Sequence, residues 1–254
     1  MSRETRTFTD EIDAAVDRLD PARLERQYRA QDEFLVIPRF LPPAAVGALL
    51  DDVRRLEPGL NRSYIPRHKK GGSVSHFTIA EDGPALIEFY RSASFRQFLS
   101  RLVRADLKLC PNDDPHACAL YFYTEAGDHM GYHYDTSYYK GARYTVLFGL
   151  VQESASRLLC RLHTKQAGHA PVDLAVATEP GSMVIFNGDK VYHGVSPSQV
   201  GDRRVVLTLE YVTTQEMGRA KRAFSNLKDA FAYFGVRALW QSHSRRRKSP
   251  ARHS

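Results

Sequence analysis

The chain has 254 residues, 43 % of them hydrophobic, which suffices for one large domain with an ample core, and no composition shift divides it. Its formal charge of +7 does not mark a nucleic-acid surface: Arg245, Arg246, Arg247, Lys248 and Arg252 crowd an acid-free tail, and without them 31 basic residues face 29 acidic ones. The three cysteines, Cys110, Cys118 and Cys160, lack CxxC spacing, and the N-terminal region lacks a long apolar run. A disulfide frame, a secretory leader and a membrane span are therefore not expected, and a cytoplasmic protein is.

Along the chain, residues 10–28 read as a helical opening, with Ile12, Val16 and Leu19 at helical spacing and a break near Pro21. Residues 34–37 read as a short strand. Pro42 and Pro43 start a second helix with Val46, Leu49, Leu50, Val53 and Leu56 on one face, stopped by Pro58 and Gly59. A helical pair follows at 85–90 and 95–103, with Ser92 or Ser94 as N-cap between them. The period then changes to short strands at 117–123, 144–151, 157–162, 172–176, 182–187 and 203–212, the pattern of a sandwich or barrel. From 214 to 240 it is helical again, with Met217, Ala220, Phe224, Leu227, Phe231 and Phe234 on one stripe. Residues 1–241 form a single domain in this reading, with a helical lead at 1–105 and a β core at about 117–212. Residues 242–254 form a basic disordered tail.

His133 and Asp135 stand two apart in an extended segment, so both side chains face one ion, and His193 follows 58 positions after the aspartate. A His-x-Asp/Glu tripeptide arises about once by chance in such a chain, so the third histidine and an arginine beyond it carry the signal. Two imidazoles and one carboxylate on one face of a metal leave three positions open. That suits iron(II), which must take a chelating cosubstrate and dioxygen together.

Arg203 begins a strand whose alternation groups it with Val205, Leu207, Leu209 and Tyr211 on an apolar face. Arg204 joins Val206, Thr208 and Glu210 on a polar one. Taking the apolar face as the interior turns Arg203 inward, where its planar fork needs a carboxylate. A bulge would exchange the two, which keeps Arg204 as the reserve.

Tyr123 and Gly127 ahead of His133-Tyr134-Asp135, then residues 181–187, His193-Gly194-Val195-Ser196-Pro197 and Gly201-Asp202-Arg203, carry a family resemblance. Over about 117–212, and more weakly from Phe34, the chain resembles the iron(II)- and 2-oxoglutarate-dependent dioxygenases, in the branch similar to prolyl hydroxylases. The resemblance implies a mainly β fold, a double-stranded β-helix (cupin-like jelly roll) buttressed by N- and C-terminal helices. It implies Fe(II) on His133, Asp135 and His193, 2-oxoglutarate held at its distal carboxylate by Arg203, O2 as oxidant, and ascorbate as an accessory reductant. Tyr123 is a further cosubstrate candidate. Met130 stands where the family often has an aromatic residue, and no Gly-Gly pair precedes the 157–162 strand. Related halogenases carry Gly or Ala where Asp135 stands, so hydroxylation and not halogenation is expected.

Residues 62–72 read as a cationic lid with glycine hinges, from which Arg62 or Arg67 contacts an anionic substrate group such as an amino acid carboxylate. Tyr138 and Tyr139 are candidates for the mouth of the site. A small molecule, an amino acid or a derivative, is the expected substrate. A peptidyl hydroxylase and a divalent-metal β-barrel hydrolase or isomerase that needs no 2-oxoglutarate are the alternatives.

Overall fold

A computed structural model describes residues 7–135 and 139–216. The expected C-terminal helix, the basic tail and Tyr138 lie outside these residues.

The opening is two helices, α1 (Phe8–Asp17) and α2 (Pro21–Ala30). Thr7 caps α1 in a reciprocal box with Asp10, while Asp20 caps α2 and Pro21 fills its first turn, where a missing N–H costs nothing. Strand β1 (Phe34–Ile37) leads to α3 (Pro43–Leu56), which buries Val46, Leu49, Val53 and Leu56 and ends in a 3₁₀ turn at Pro58. After α4 (His76–Asp82) come α5 (Pro84–Arg91) and α6 (Ala93–Val103), the latter capped by Ser92, whose Oγ accepts from the Phe95 N–H.

Residues 62–72 are not a hinged lid. They fold as a hairpin of β2 (Asn61–Ile65) and β3 (Lys69–Val74), and β3 sits inside the sheet between two other strands. A β-carbon on Gly72 would lie 2.8 Å from Leu60 Cδ1 and 3.2 Å from Phe122 Cβ, so this glycine permits close packing and is no hinge.

The remaining strands are β4 (Lys108–Leu109), β5 (Cys118–Tyr123), β6 (His129–His133), β7 (Arg143–Glu153), β8 (Leu158–Leu162), β9 (Val172–Val176), β10 (Met183–Asn187), β11 (Tyr192–Val195) and β12 (Arg203–Val212). The antiparallel order is β1-β10-β7-β12-β5-β3-β6-β11-β8-β9, with β2 on β3 and β4 on β12. The sheet curls into a half-barrel: Phe34, Val184 and Phe186 from one end share an apolar cluster with Leu158, Cys160 and Leu162 from the other. Strand β1 has the bounds expected of it, whereas β3, also part of the curl, comes from the segment read as a cationic lid.

Register fixes which residues face the lumen, because directly paired residues share a face. Arg204 pairs with Tyr123, Val206 with Tyr121, Ser73 with Tyr121, Lys69 with Met130, and His193 with both His133 and Cys160. All of these belong to the concave side. Val205, Leu207, Leu209 and Tyr211 face the other way, into the main core with Leu49, Phe89, Phe95 and Leu99 of the helices.

Candidate metal and cosubstrate site

His133 and His193 end up directly opposite each other in β6 and β11, with ring centroids 4.4 Å apart. Each Nδ1 meets a backbone carbonyl, Gly131 O at 2.9 Å and Val191 O at 3.1 Å. A carbonyl only accepts, so each Nδ1 carries the hydrogen and each Nε2 presents its lone pair to the lumen. Burial, reinforced by any charge on His133 and opposed by Asp135, pushes the His193 pKa down and favours the neutral ligand form.

Asp135 lies just past β6. Its N–H donates to Gly188 O at 3.0 Å, and Thr145 Oγ1 lies 2.7 Å from its Oδ2. The other oxygen, Oδ1, is 3.4 Å from His133 Nε2 and 3.6 Å from His193 Nε2. Ligand bonds of about 2.1 Å set roughly 90° apart span about 3 Å between donor atoms, so three such atoms are spaced to close on one ion. Burial raises the Asp135 pKa, but His193, His133 and the Thr145 hydrogen bond outweigh it and hold the carboxyl well below the usual range. Two imidazoles with Nε2 turned to the lumen and an ionised carboxylate fit a divalent transition metal.

The arginines sit the other way round from the sequence expectation. Arg203 forms a bidentate pair with Glu57, both bonds 2.8 Å, and its side chain is 38 % exposed. Arg204 is 1 % exposed, and its Cζ lies 5.1 Å from the Tyr123 ring centroid. Its Nε donates to Gln152 Oε1 at 3.3 Å and Thr178 Oγ1 at 3.2 Å, while Nη1 has no hydrogen-bond partner. Among the described residues no carboxylate pairs with it, and burial lowers its pKa. The pairing of β12 with β5 runs without a break, so no bulge in β12 exchanges the two arginines. The reason is the face: the apolar side of β12 lies under the helices, and the lumen is the polar side.

Arg62 is engaged elsewhere, on Asp128 at 2.6 Å and Glu125 at 3.0 Å, where it secures the 124–128 turn. Arg67 is exposed in the β2–β3 turn, whose His68 carbonyl accepts from Gly131 N–H. The same segment instead turns Lys69 into the lumen, 1 % exposed, with Nζ 5.3 Å from the Tyr121 ring centroid. Burial lowers the Lys69 pKa to about 7. Tyr139 is buried, and its hydroxyl donates to Asp114 at 2.6 Å, so it is a wall residue and not an open mouth. Sequence reading also passed over Thr145 and Glu210. The signal for Glu210 was a carboxylate in mid-strand at even spacing from Arg204.

A family model described as "HalD: Halogenase D" matches residues 16–141, a span that includes His133 and Asp135. No curated protein matches the sequence. Among solved structures, the epimerase SnoN in complex with Fe3+, alpha ketoglutarate and nogalamycin RO superposes with a TM-score of 0.66 at 15 % identity, covering 82 % of this chain and 90 % of that one. A prolyl hydroxylase from Trichoplax adhaerens, bound to a hypoxia inducible factor peptide fragment, gives 0.61 at 15 % identity over 87 % and 97 %. EvdO2 from Micromonospora carbonacea, complexed with 2-oxoglutarate, gives 0.57 at 14 % identity over 79 % and 94 %. The chain thus has the double-stranded β-helix fold found in 2-oxoglutarate- and iron-dependent oxygenases. Among the described residues no helix is long and apolar enough to cross a membrane.

Proposed function

We propose that this chain is a non-haem Fe(II)- and 2-oxoglutarate-dependent oxygenase that hydroxylates a small molecule, an amino acid or a close derivative. The observation that carries the reading is the joint placement of a three-donor face and a buried arginine with a free N–H on one concave wall. A guanidinium so buried is costly unless an anion meets it.

In this reading His133, Asp135 and His193 hold iron on one face and leave the opposite positions for cosubstrate and oxygen. Arg204 takes the distal carboxylate of 2-oxoglutarate, with Tyr123 beside it and Gln152 and Thr178 fixing the guanidinium. Arg203 has no part in it. Leu158, Cys160, Val184 and Val206 line the lumen and keep water from the reacting centre. Iron held by these three residues would supply oxidising chemistry that couples conversion of 2-oxoglutarate and O2 to succinate and carbon dioxide with insertion of the second oxygen atom into a substrate C–H bond. Ascorbate serves to keep the iron ferrous. Lys69, and not Arg62 or Arg67, offers the cation for a substrate carboxylate.

The family description raises halogenation as a second outcome. Asp135 argues against it, since the halogenases that this chain resembles carry Gly or Ala at that position, and a carboxylate there would take up the metal position they leave for chloride. The different chemistries named for the structural neighbours, epimerase and hydroxylase, leave the outcome to be read from product.

The test is succinate release from 2-oxoglutarate with added Fe(II), together with mass spectrometry on amino acids, their derivatives and peptides in the presence of chloride. Iron-dependent succinate and a product heavier by one oxygen support the reading. Activity with zinc and no succinate would replace it with a hydrolase or isomerase, an oxidised peptide would move the substrate class, and a chlorinated product would overturn hydroxylation.

A further inference from the structure

The Asp135 carboxylate is not the end of its hydrogen-bond chain. Thr145, on β7, pairs directly with Glu210 on β12, and its Oγ1 lies 2.7 Å from Asp135 Oδ2 and 3.1 and 3.3 Å from the two Glu210 carboxyl oxygens. Glu210 in turn accepts from Arg143 Nε at 3.0 Å, and Arg143 Nη1 lies 3.5 Å from Asp114, which receives the Tyr139 hydroxyl. Behind Asp135, every member of this belt, Thr145, Glu210, Arg143, Asp114 and Tyr139, is buried. It also grips the chain on both sides of the segment after the metal set, at Asp135 through Thr145 and at Tyr139 through Asp114.

Counting hydrogens decides how the belt works. A threonine hydroxyl has one hydrogen and two lone pairs. The shortest contact, to the ionised Asp135, takes the hydrogen. If Glu210 were also ionised, its oxygens would face a Thr145 lone pair in a buried setting, a repulsion at this contact even with Arg143 bonded to the same carboxyl group. The contact is favourable only when Glu210 brings a hydrogen of its own.

Resting on the metal set proposed above, we propose that Glu210 is a positioning residue for the third metal ligand: as a neutral acid it donates to Thr145 Oγ1, which commits the Thr145 hydrogen to Asp135 Oδ2 and aims Oδ1 at the metal. The surroundings agree. Burial first, then the negative charges of Asp135 and Asp114, push the Glu210 pKa up to about 8 against the opposing pull of Arg143. Arg143, held between Glu210 and Asp114, keeps the acid from rotating away. Groups of this kind behind a ligand shift metal affinity by about 10–100-fold.

The experiment is an anaerobic Co(II) titration of the full chain, with a thermal melt of each metal-free variant. Glu210→Gln keeps a donor and the shape, so its Co(II) affinity stays within about threefold of wild type, as does that of Thr145→Ser. Thr145→Val and Glu210→Leu each weaken Co(II) binding at least about tenfold; Thr145→Ala and Glu210→Met give the same comparison should a first variant fail to fold. Glu210→Gln losing as much as Thr145→Val would show that Glu210 acts as an anion and overturn the inference. So would unchanged affinity in the Thr145 variants that lack a hydroxyl. Wild-type protein that binds no Co(II) would instead overturn the metal set, a failure distinguishable from the other two.

Discussion

Gly188 stands where any β-carbon would lie 2.5 Å from Asp135 Cβ and 2.9 Å from Asp135 Oδ2. The turn after β10 and the segment after β6 therefore approach closely enough to exclude every other residue type, and the Gly188 carbonyl holds the Asp135 N–H at that spot. Gly188→Ala is expected to displace the carboxylate and weaken Co(II) or Fe(II) binding at least about tenfold, with a much smaller effect on folding. Metal titration beside a thermal melt measures both, and unchanged affinity would mean that the aspartate is not held by this contact.

Adjacent arginines give opposite expectations. Removing a buried charged hydrogen-bonding partner costs roughly 2–5 kcal/mol, so Arg204→Met raises the KM for 2-oxoglutarate at least about 30-fold. Arg203→Gln breaks a half-exposed pair with Glu57, worth about 0–1 kcal/mol, and leaves that KM unchanged. Steady-state succinate release compares them, and the reverse ranking would restore Arg203 as the anchor.

The Glu210 carboxyl predicts a pH trend in metal-free protein. Its pKa rises on folding from 4.5 to about 8, so between those values the folded state binds more protons than the unfolded state and stability falls as pH rises. Asp135 has the opposite sign, but its window lies below 3.8. The melting temperature of wild type relative to Glu210→Gln should therefore decline from about pH 4.5 to about pH 8, and a flat or rising difference would contradict a buried acid.

Lys69 predicts the reverse at higher pH. Its pKa falls from 10.5 to about 7 on folding, so the unfolded chain binds more protons across that window and stability rises with pH. Denaturant unfolding of wild type against Lys69→Met should show wild type gaining between about pH 7 and about pH 10.5. A flat or falling difference would contradict an ammonium whose pKa is lowered by burial.

The proposed donors His133, Asp135 and His193 stood out because their types and spacing are rare together, and most strands because alternation over five or more residues is a strong signal. What failed failed for physical reasons. An apolar stripe marks the face that packs on another layer, and β12 packs its stripe on helices. The concave face is the one bearing Arg204, Thr208 and Glu210. Glycine and lysine in 69–72 read as loop composition, yet the sheet uses Gly72 for close packing and Lys69 for a lumen charge. Thr145 carried no signal of its own, since its role arises from register with Glu210 and from a turn placed by Gly188.

The most direct measurement is the visible spectrum of anaerobic Fe(II)-loaded protein as 2-oxoglutarate is added. Chelation of the keto acid at iron is expected to produce a charge-transfer band in wild type and in Arg203→Gln, weakened in Arg204→Met and lost in His193→Ala. No band in wild type, with iron bound, would contradict a cosubstrate seated between Arg204 and the metal.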